Sequence, residues 1–86
     1  MDDVDEVLLL AGLLASPTRL AAYRLVGKSG MGVVEVAAQL GVAPSTASYH
    51  LGALYAGGLV RVTREGRRRV YRWAKTKWFV AGVEPT

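Results

Sequence analysis

The chain has 86 residues, 11 Lys and Arg against 7 Asp and Glu, a formal net charge of +4, and no cysteine. That length suits one small domain with a single core. Without cysteine there can be no disulfide, thiolate metal site or thiol redox sensor.

Asp2, Asp3, Asp5 and Glu6 open the chain with a local charge of −4, the opposite of a signal peptide's basic start. The longest apolar run, 7–15, has nine residues, against the ~20 that a bilayer demands. These features predict a cytoplasmic protein with no membrane span. Residues 3–15 are predicted helical, with acids at the N-terminal end where they suit the macrodipole. Val4, Val7, Leu8, Ala11 and Leu14 form one stripe, and Leu9, Leu10 and Leu13 carry the apolar surface around the other side. A helix apolar nearly all round is buried nearly all round. So small a chain cannot bury its own end in that way, and a subunit partner is the simplest cover.

Ser16-Pro17 begins a second helix, with Ser16 as N-cap and Pro17 at the first helical position. It is predicted to run to about Val26, with Leu20, Tyr23, Ala21 and Leu25 as inward candidates. Gly27, Gly30 and Gly32 mark a loop. A third helix, about 33–40, turns Val33, Val36, Ala37 and Leu40 inward, and Gly41 suits the left-handed residue that ends it. A fourth helix starts at Pro44 or Ser45 and ends near 56–58. Strands follow at 59–62 and 70–73, with the turn at Glu65-Gly66, and a short helix over about 75–80 bears Trp78 and Phe79.

The fourth helix carries the most informative face. At ~100° per residue Ala47, Leu51 and Leu54 share the core side. Ser45, Tyr49 and Gly52 lie opposite, flanked by Thr46, Ser48 and Ala53. The outward surface is small, hydroxyl-rich and uncharged, whereas a solvated structural helix normally carries Lys and Glu. Such a face can approach a groove closely and offer donors and acceptors to base edges or phosphates. It holds no Arg, Lys, Asn or Gln, so the strong bidentate base pairings are unavailable. Direct readout is therefore modest, with a thymine methyl open to Thr46 or Ala53, and DNA shape carries much of the discrimination.

Residues 60–77 hold eight Lys or Arg against Glu65 alone, the electrostatic footprint of a polyanion partner. Arg64, Arg67, Arg68 and Arg69 surround the hairpin turn, where they suit flanking phosphates or the minor groove. Alternation puts Arg69, Tyr71 and Trp73 on one face. Tyr71 and Trp73 are core candidates, so Arg69 is expected partly inward, leaving Arg64, Arg67 and Arg68 as the better phosphate contacts. His50, the single histidine, falls at the edge of the buried stripe, as a half-buried hydrogen-bonding group does. One His without Cys or clustered carboxylates makes no metal site. Ser45, Thr46 and Ser48 lack His–Asp partners, and the glycines fit no phosphate loop. No cofactor or enzymatic activity is expected.

Ser16-Pro17-Thr18-Arg19-Leu20, Val36-Ala37-Ala38-Gln39-Leu40-Gly41 and Ser45-Thr46-Ala47-Ser48-Tyr49-His50-Leu51 together resemble the ArsR/SmtB family of winged helix-turn-helix regulators. Leu54, Gly57-Gly58-Leu59-Val60 and Arg64-Glu65-Gly66-Arg67-Arg68 extend the likeness, which covers about residues 12–73. The resemblance implies a homodimer formed by terminal helices, a repressor of an imperfect inverted repeat, and Ser45, Thr46, Ser48, Tyr49 and His50 on the recognition helix. Metal-sensing members often carry Cys-x-Cys before the turn, and the matching positions here are Gly32 and Val34. Other members place metal-binding carboxylates and histidines on the last helix, where this chain has Lys75, Lys77, Trp78 and Phe79. Ser16 replaces a frequent Asp, and Ala43 a frequent Ser cap.

The expected fold is mainly α with a small β-hairpin (α+β): a winged helix-turn-helix of four helices, two strands and a fifth helix. Residues 1–86 form one domain, with dimerisation helices at 1–15 and 74–83, the helix-turn-helix at 33–56 and the wing at 59–73. DNA contacts are expected from Pro44, Ser45, Thr46, Ser48, Tyr49 and His50 on the recognition helix, and from Arg64, Arg67, Arg68 and Arg69 on the wing. Val7, Leu9, Leu10, Leu13, Trp78 and Phe79 are expected at a homodimer interface. The leading expectation is a sequence-specific dimeric repressor without the familiar metal sites. The alternatives are an architectural, weakly specific DNA binder or a winged-helix protein-interaction module.

Overall fold

The computed structural model describes residues 11–12 and 14–74. Ala11 and Gly12 are helical; the remainder of the expected first helix, and the expected last helix, lie almost entirely outside the described residues. Helix α1 spans Pro17–Val26, followed by strand β1 at Met31–Gly32, helix α2 at Val33–Leu40 and helix α3 at Pro44–Ala56. Strands β2, Val60–Glu65, and β3, Arg68–Trp73, form the wing hairpin.

Each helix starts and stops for a local chemical reason. Ser16 caps α1, its hydroxyl oxygen accepting the Arg19 backbone N–H at 3.2 Å, with Pro17 in the first turn. At the start of α2 the Gly32 N–H donates to the Glu35 carboxylate at 3.1 Å, the reach-back half of a capping box. Gly41, at φ +67°, closes α2, and the Val42 N–H donates to the Ala37 carbonyl at 3.1 Å. The chain then turns directly into Pro44. Ala43 gives α3 no side-chain cap.

The core lies where the three helices meet the sheet. Ala22 and Val26 from α1, Val36 and Ala37 from α2, and Ala47, Leu51 and Leu54 from α3 are buried with Leu59, Val60 and Tyr71. Removing Leu51 and Leu54 fully from water contributes about 1.5–3 kcal/mol each. The inward faces of α2 and α3 agree with the periodicity. In α1 the fully buried pair is Ala22 and Val26, while Leu20, Ala21, Tyr23 and Leu25 are only partly covered. Small Ala22 lets the helix backbones approach, and the larger side chains spread along the rim of that contact.

The sheet corrects the expected two-strand wing. Its order is β1-β3-β2, antiparallel throughout, with Met31 opposite Tyr71 and Gly32 opposite Val70. A two-residue edge strand pairs through its backbone and leaves no side-chain periodicity, so 27–32 reads in sequence as a loop. Gly30, at φ +92°, makes the approach possible: a Cβ there would stand 2.6 Å from Val70 and 2.8 Å from the Arg72 side chain. The hairpin is also longer than expected. Glu65 pairs with Arg68, so the turn is Gly66-Arg67 rather than Glu65-Gly66. Gly66 takes φ +67° in the first central place, the glycine-first pattern of a type II′ turn.

Candidate nucleic-acid interface

Helix α3 presents Pro44, Ser45, Thr46, Ser48, Tyr49 and Gly52 exposed, with Tyr49 67% accessible. Ala53 is half-buried, which leaves Thr46 as the better exposed of the two methyl-contact candidates. Tyr55, 57% accessible near the helix end, adds an aromatic ring that the spacing did not single out.

His50 is half-buried, and its surroundings assign it a definite part. Its Nδ1 accepts the Arg19 Nε–H at 3.3 Å, so the neutral ring carries its proton on Nε2. Burial first, and the Arg19 guanidinium second, hold the imidazole below its usual pKa and favour that neutral acceptor. The Arg19 guanidinium carbon also lies 5.7 Å from the centre of the Tyr49 ring, whose neighbour His50 meets it edge-on at 5.3 Å. Arg19 is 31 residues from His50 in sequence. Only the packing of α1 on α3 brings them together, and no periodicity announces it.

The wing divides its arginines into two groups. Arg61, Arg64, Arg67 and Arg69 are exposed, with no carboxylate partner among the described residues. Arg69 is therefore not turned inward as alternation suggested, because the hairpin tip extends past the core. Arg68, although exposed, is ion-paired to Glu35 at the start of α2. Arg72 lies along β2, donating to the Thr63 hydroxyl and the Glu65 carboxylate at 2.5 Å each. On the inner side Tyr71 is buried, and Trp73 stacks on Tyr23 with centroids 5.6 Å apart. The Trp73 indole N–H donates to the Tyr23 carbonyl at 2.7 Å. Burial raises the Tyr23 phenol above its usual pKa. These contacts fix the root of the wing to α1.

Gly32 and Val34 border a shallow groove of about 580 Å³ between the start of α2 and the wing tip. Among the described residues no three His, Cys, Asp or Glu side chains are grouped as a metal ion requires. Nor is any helix there long and apolar enough to cross a membrane. Val7, Leu9, Leu10, Leu13, Trp78 and Phe79 lie outside the described residues.

A helix-turn-helix with an exposed second helix and a β-hairpin beside it defines a winged helix-turn-helix domain. Residues 14–63 match the family model described as a helix-turn-helix domain. The HTH-type transcriptional regulator Rv0324 of Mycobacterium tuberculosis is 38% identical over 71 residues, which are 83% of this chain and 31% of that protein. The chain thus spans about a third of that relative's length. The homodimeric winged helix-turn-helix DNA-binding domain of Mb0332 from Mycobacterium bovis, a possible ArsR-family transcriptional regulator, is 35% identical with a TM-score of 0.76. That likeness covers 87% of this chain and 74% of the other. Reduced HlyU from Vibrio cholerae shares the fold, with a TM-score of 0.81, 23% identity, and coverage of 92% and 83%. The chain belongs to the ArsR-type winged helix-turn-helix transcriptional regulators.

Proposed function

We propose that this chain is a dimeric, sequence-specific DNA-binding repressor acting on an inverted-repeat operator, with α3 in the major groove. The observation that carries this reading is the pairing of an uncharged, exposed α3 face with exposed wing arginines that have no carboxylate partner among the described residues. Ser45, Thr46, Ser48 and Tyr49 supply hydroxyls for base edges and phosphates, Pro44 starts the helix at the groove, and His50 borders the contact. Arg64, Arg67 and Arg69 take flanking phosphates or the minor groove, and Arg68 joins them to the extent that Glu35 releases it. The homodimer of the Mycobacterium bovis relative supports pairing of two copies; in this reading the pairing runs through helices at 1–15 and 74–83, by way of Val7, Leu9, Leu10, Leu13, Trp78 and Phe79. With those two helices the chain has five in all. Neither a metal ion nor a cofactor has a part in this reading, and the place of action is the cytoplasm.

Selection of bound duplexes from a random pool, with and without divalent metals, tests it. The expected product is an inverted repeat with half-site centres ~34 Å apart, bound at least ~10³-fold more tightly than random duplex. Arg67→Ala with Arg69→Ala should weaken binding to every sequence and flatten the salt dependence. A specificity ratio near one would replace the repressor with an architectural DNA protein. Failure to retain any duplex at low salt would favour a protein-interaction module.

A further inference from the structure

We infer that Arg19 is a DNA-phosphate contact: α1 carries its guanidinium to the flank of the recognition helix, where His50 and Tyr49 hold it in position. The inference rests on the reading of α3 as the duplex-binding helix, and adds to it a residue from a different element.

The face of α3 has no cation of its own, and Arg19 supplies one. Its Nε–H is occupied by the His50 Nδ1 at 3.3 Å, and its guanidinium carbon stands 5.7 Å from the centre of the exposed Tyr49 ring. Among the described residues no carboxylate pairs with it, and no other hydrogen bond engages its terminal nitrogens. An arginine serving only the fold normally ends on a carboxylate or a carbonyl. This one ends on a neutral imidazole, which orients the fork without cancelling its charge. Four terminal N–H donors remain, the set that a phosphate accepts in bidentate fashion. Orientation before binding also reduces the side-chain freedom lost on docking. The first turn of α1 is itself held, because the Ser16 hydroxyl takes the Arg19 backbone N–H. Arg19 is thus the contact, and His50 the residue that positions it.

The test uses the full chain and a labelled duplex of arbitrary sequence, titrated by fluorescence anisotropy across a salt series. Arg19→Ala should lower the slope of log affinity against log salt by about 0.9 per protomer, so that its deficit against wild type is greatest at low salt and shrinks about eightfold per protomer over a tenfold rise in salt. Arg19→Gln, which keeps a donor for His50 but no charge, should show the same loss of slope and covers the case in which the alanine variant folds poorly. His50→Asn, whose carbonyl can replace Nδ1 as acceptor, should keep the Arg19 share of the salt slope that His50→Leu loses. His50→Leu should weaken binding, and adding it to Arg19→Ala should cost nothing more. Unchanged affinity and slope in both Arg19 variants, with wild type binding normally, would overturn the inference. Fully additive losses in the double variant would remove the positioning role of His50. A wild-type chain that no duplex retains at low salt would instead overturn the reading of α3 on which the inference stands.

Discussion

Gly52 lies in the interior of α3, on the exposed face between Tyr49 and Tyr55. A Cβ at this position would meet nothing within 4 Å. Glycine in a helix interior costs about 0.5–1 kcal/mol relative to alanine, so the fold of the chain gives no reason for its presence. A surface that must come close to α3 does give one. Gly52→Ala is therefore expected to raise the melting temperature by about 4 °C, and at the same time to weaken duplex binding, since the added methyl stands where the helix meets the groove. Stability rising with no change in affinity would show that this face is not the docking face. Because the two readouts move in opposite directions, misfolding cannot imitate the expected result.

At the scale of elements, the wing is tied down at both ends. Trp73 and Tyr23 hold its root against α1, and Arg68 and Glu35 join its tip to the start of α2. The tip pair is half-exposed, so it contributes at most about 1 kcal/mol to stability. On the proposed reading of the wing, its larger effect is to occupy a cation that would otherwise face phosphate. Glu35→Gln keeps a carbonyl for the Gly32 N–H and removes the charge, so Arg68 is released while the start of α2 remains capped. The expected outcome is a steeper salt dependence of duplex binding, by up to about 0.9 per protomer, with a melting temperature close to wild type. An unchanged slope would mean that Arg68 lies too far from the backbone to matter. Much of this architecture was legible in the sequence: the Ser16 cap, the Gly41 stop and the Ala47, Leu51, Leu54 stripe all follow from local chemistry. What escaped was tertiary. Strand β1 has only backbone pairing to declare it, Arg69 stays outside because the hairpin outgrows the core, and Arg19 reaches α3 only once α1 has packed. Gly32 and Val34 depart from the metal-sensing pattern in sequence, but the groove they border exists only because the wing folds back toward α2.

At the scale of the whole molecule, one α3 of 13 residues is ~20 Å long and fills a single stretch of major groove. An inverted repeat needs two such helices, related by a two-fold axis and about one turn of DNA apart. In the proposed dimer the second copy is held by Leu9, Leu10, Leu13, Trp78 and Phe79, an apolar set read from the sequence alone. A single charge at such a seam should separate the subunits, because an unpaired carboxylate buried between them is strongly disfavoured. Leu10→Asp and Phe79→Asp are each expected to convert a dimer to a monomer in analytical ultracentrifugation. The monomer should retain weak, salt-sensitive binding to random duplex, since the arginines of each protomer are intact. What it should lose is the advantage of the inverted repeat over a lone half-site, because the second recognition event is no longer intramolecular. If both variants stay dimeric, the subunit contact lies elsewhere on the chain. If they become monomeric yet still prefer the full repeat, the two half-sites are read independently and the operator's symmetry does not come from a preformed dimer.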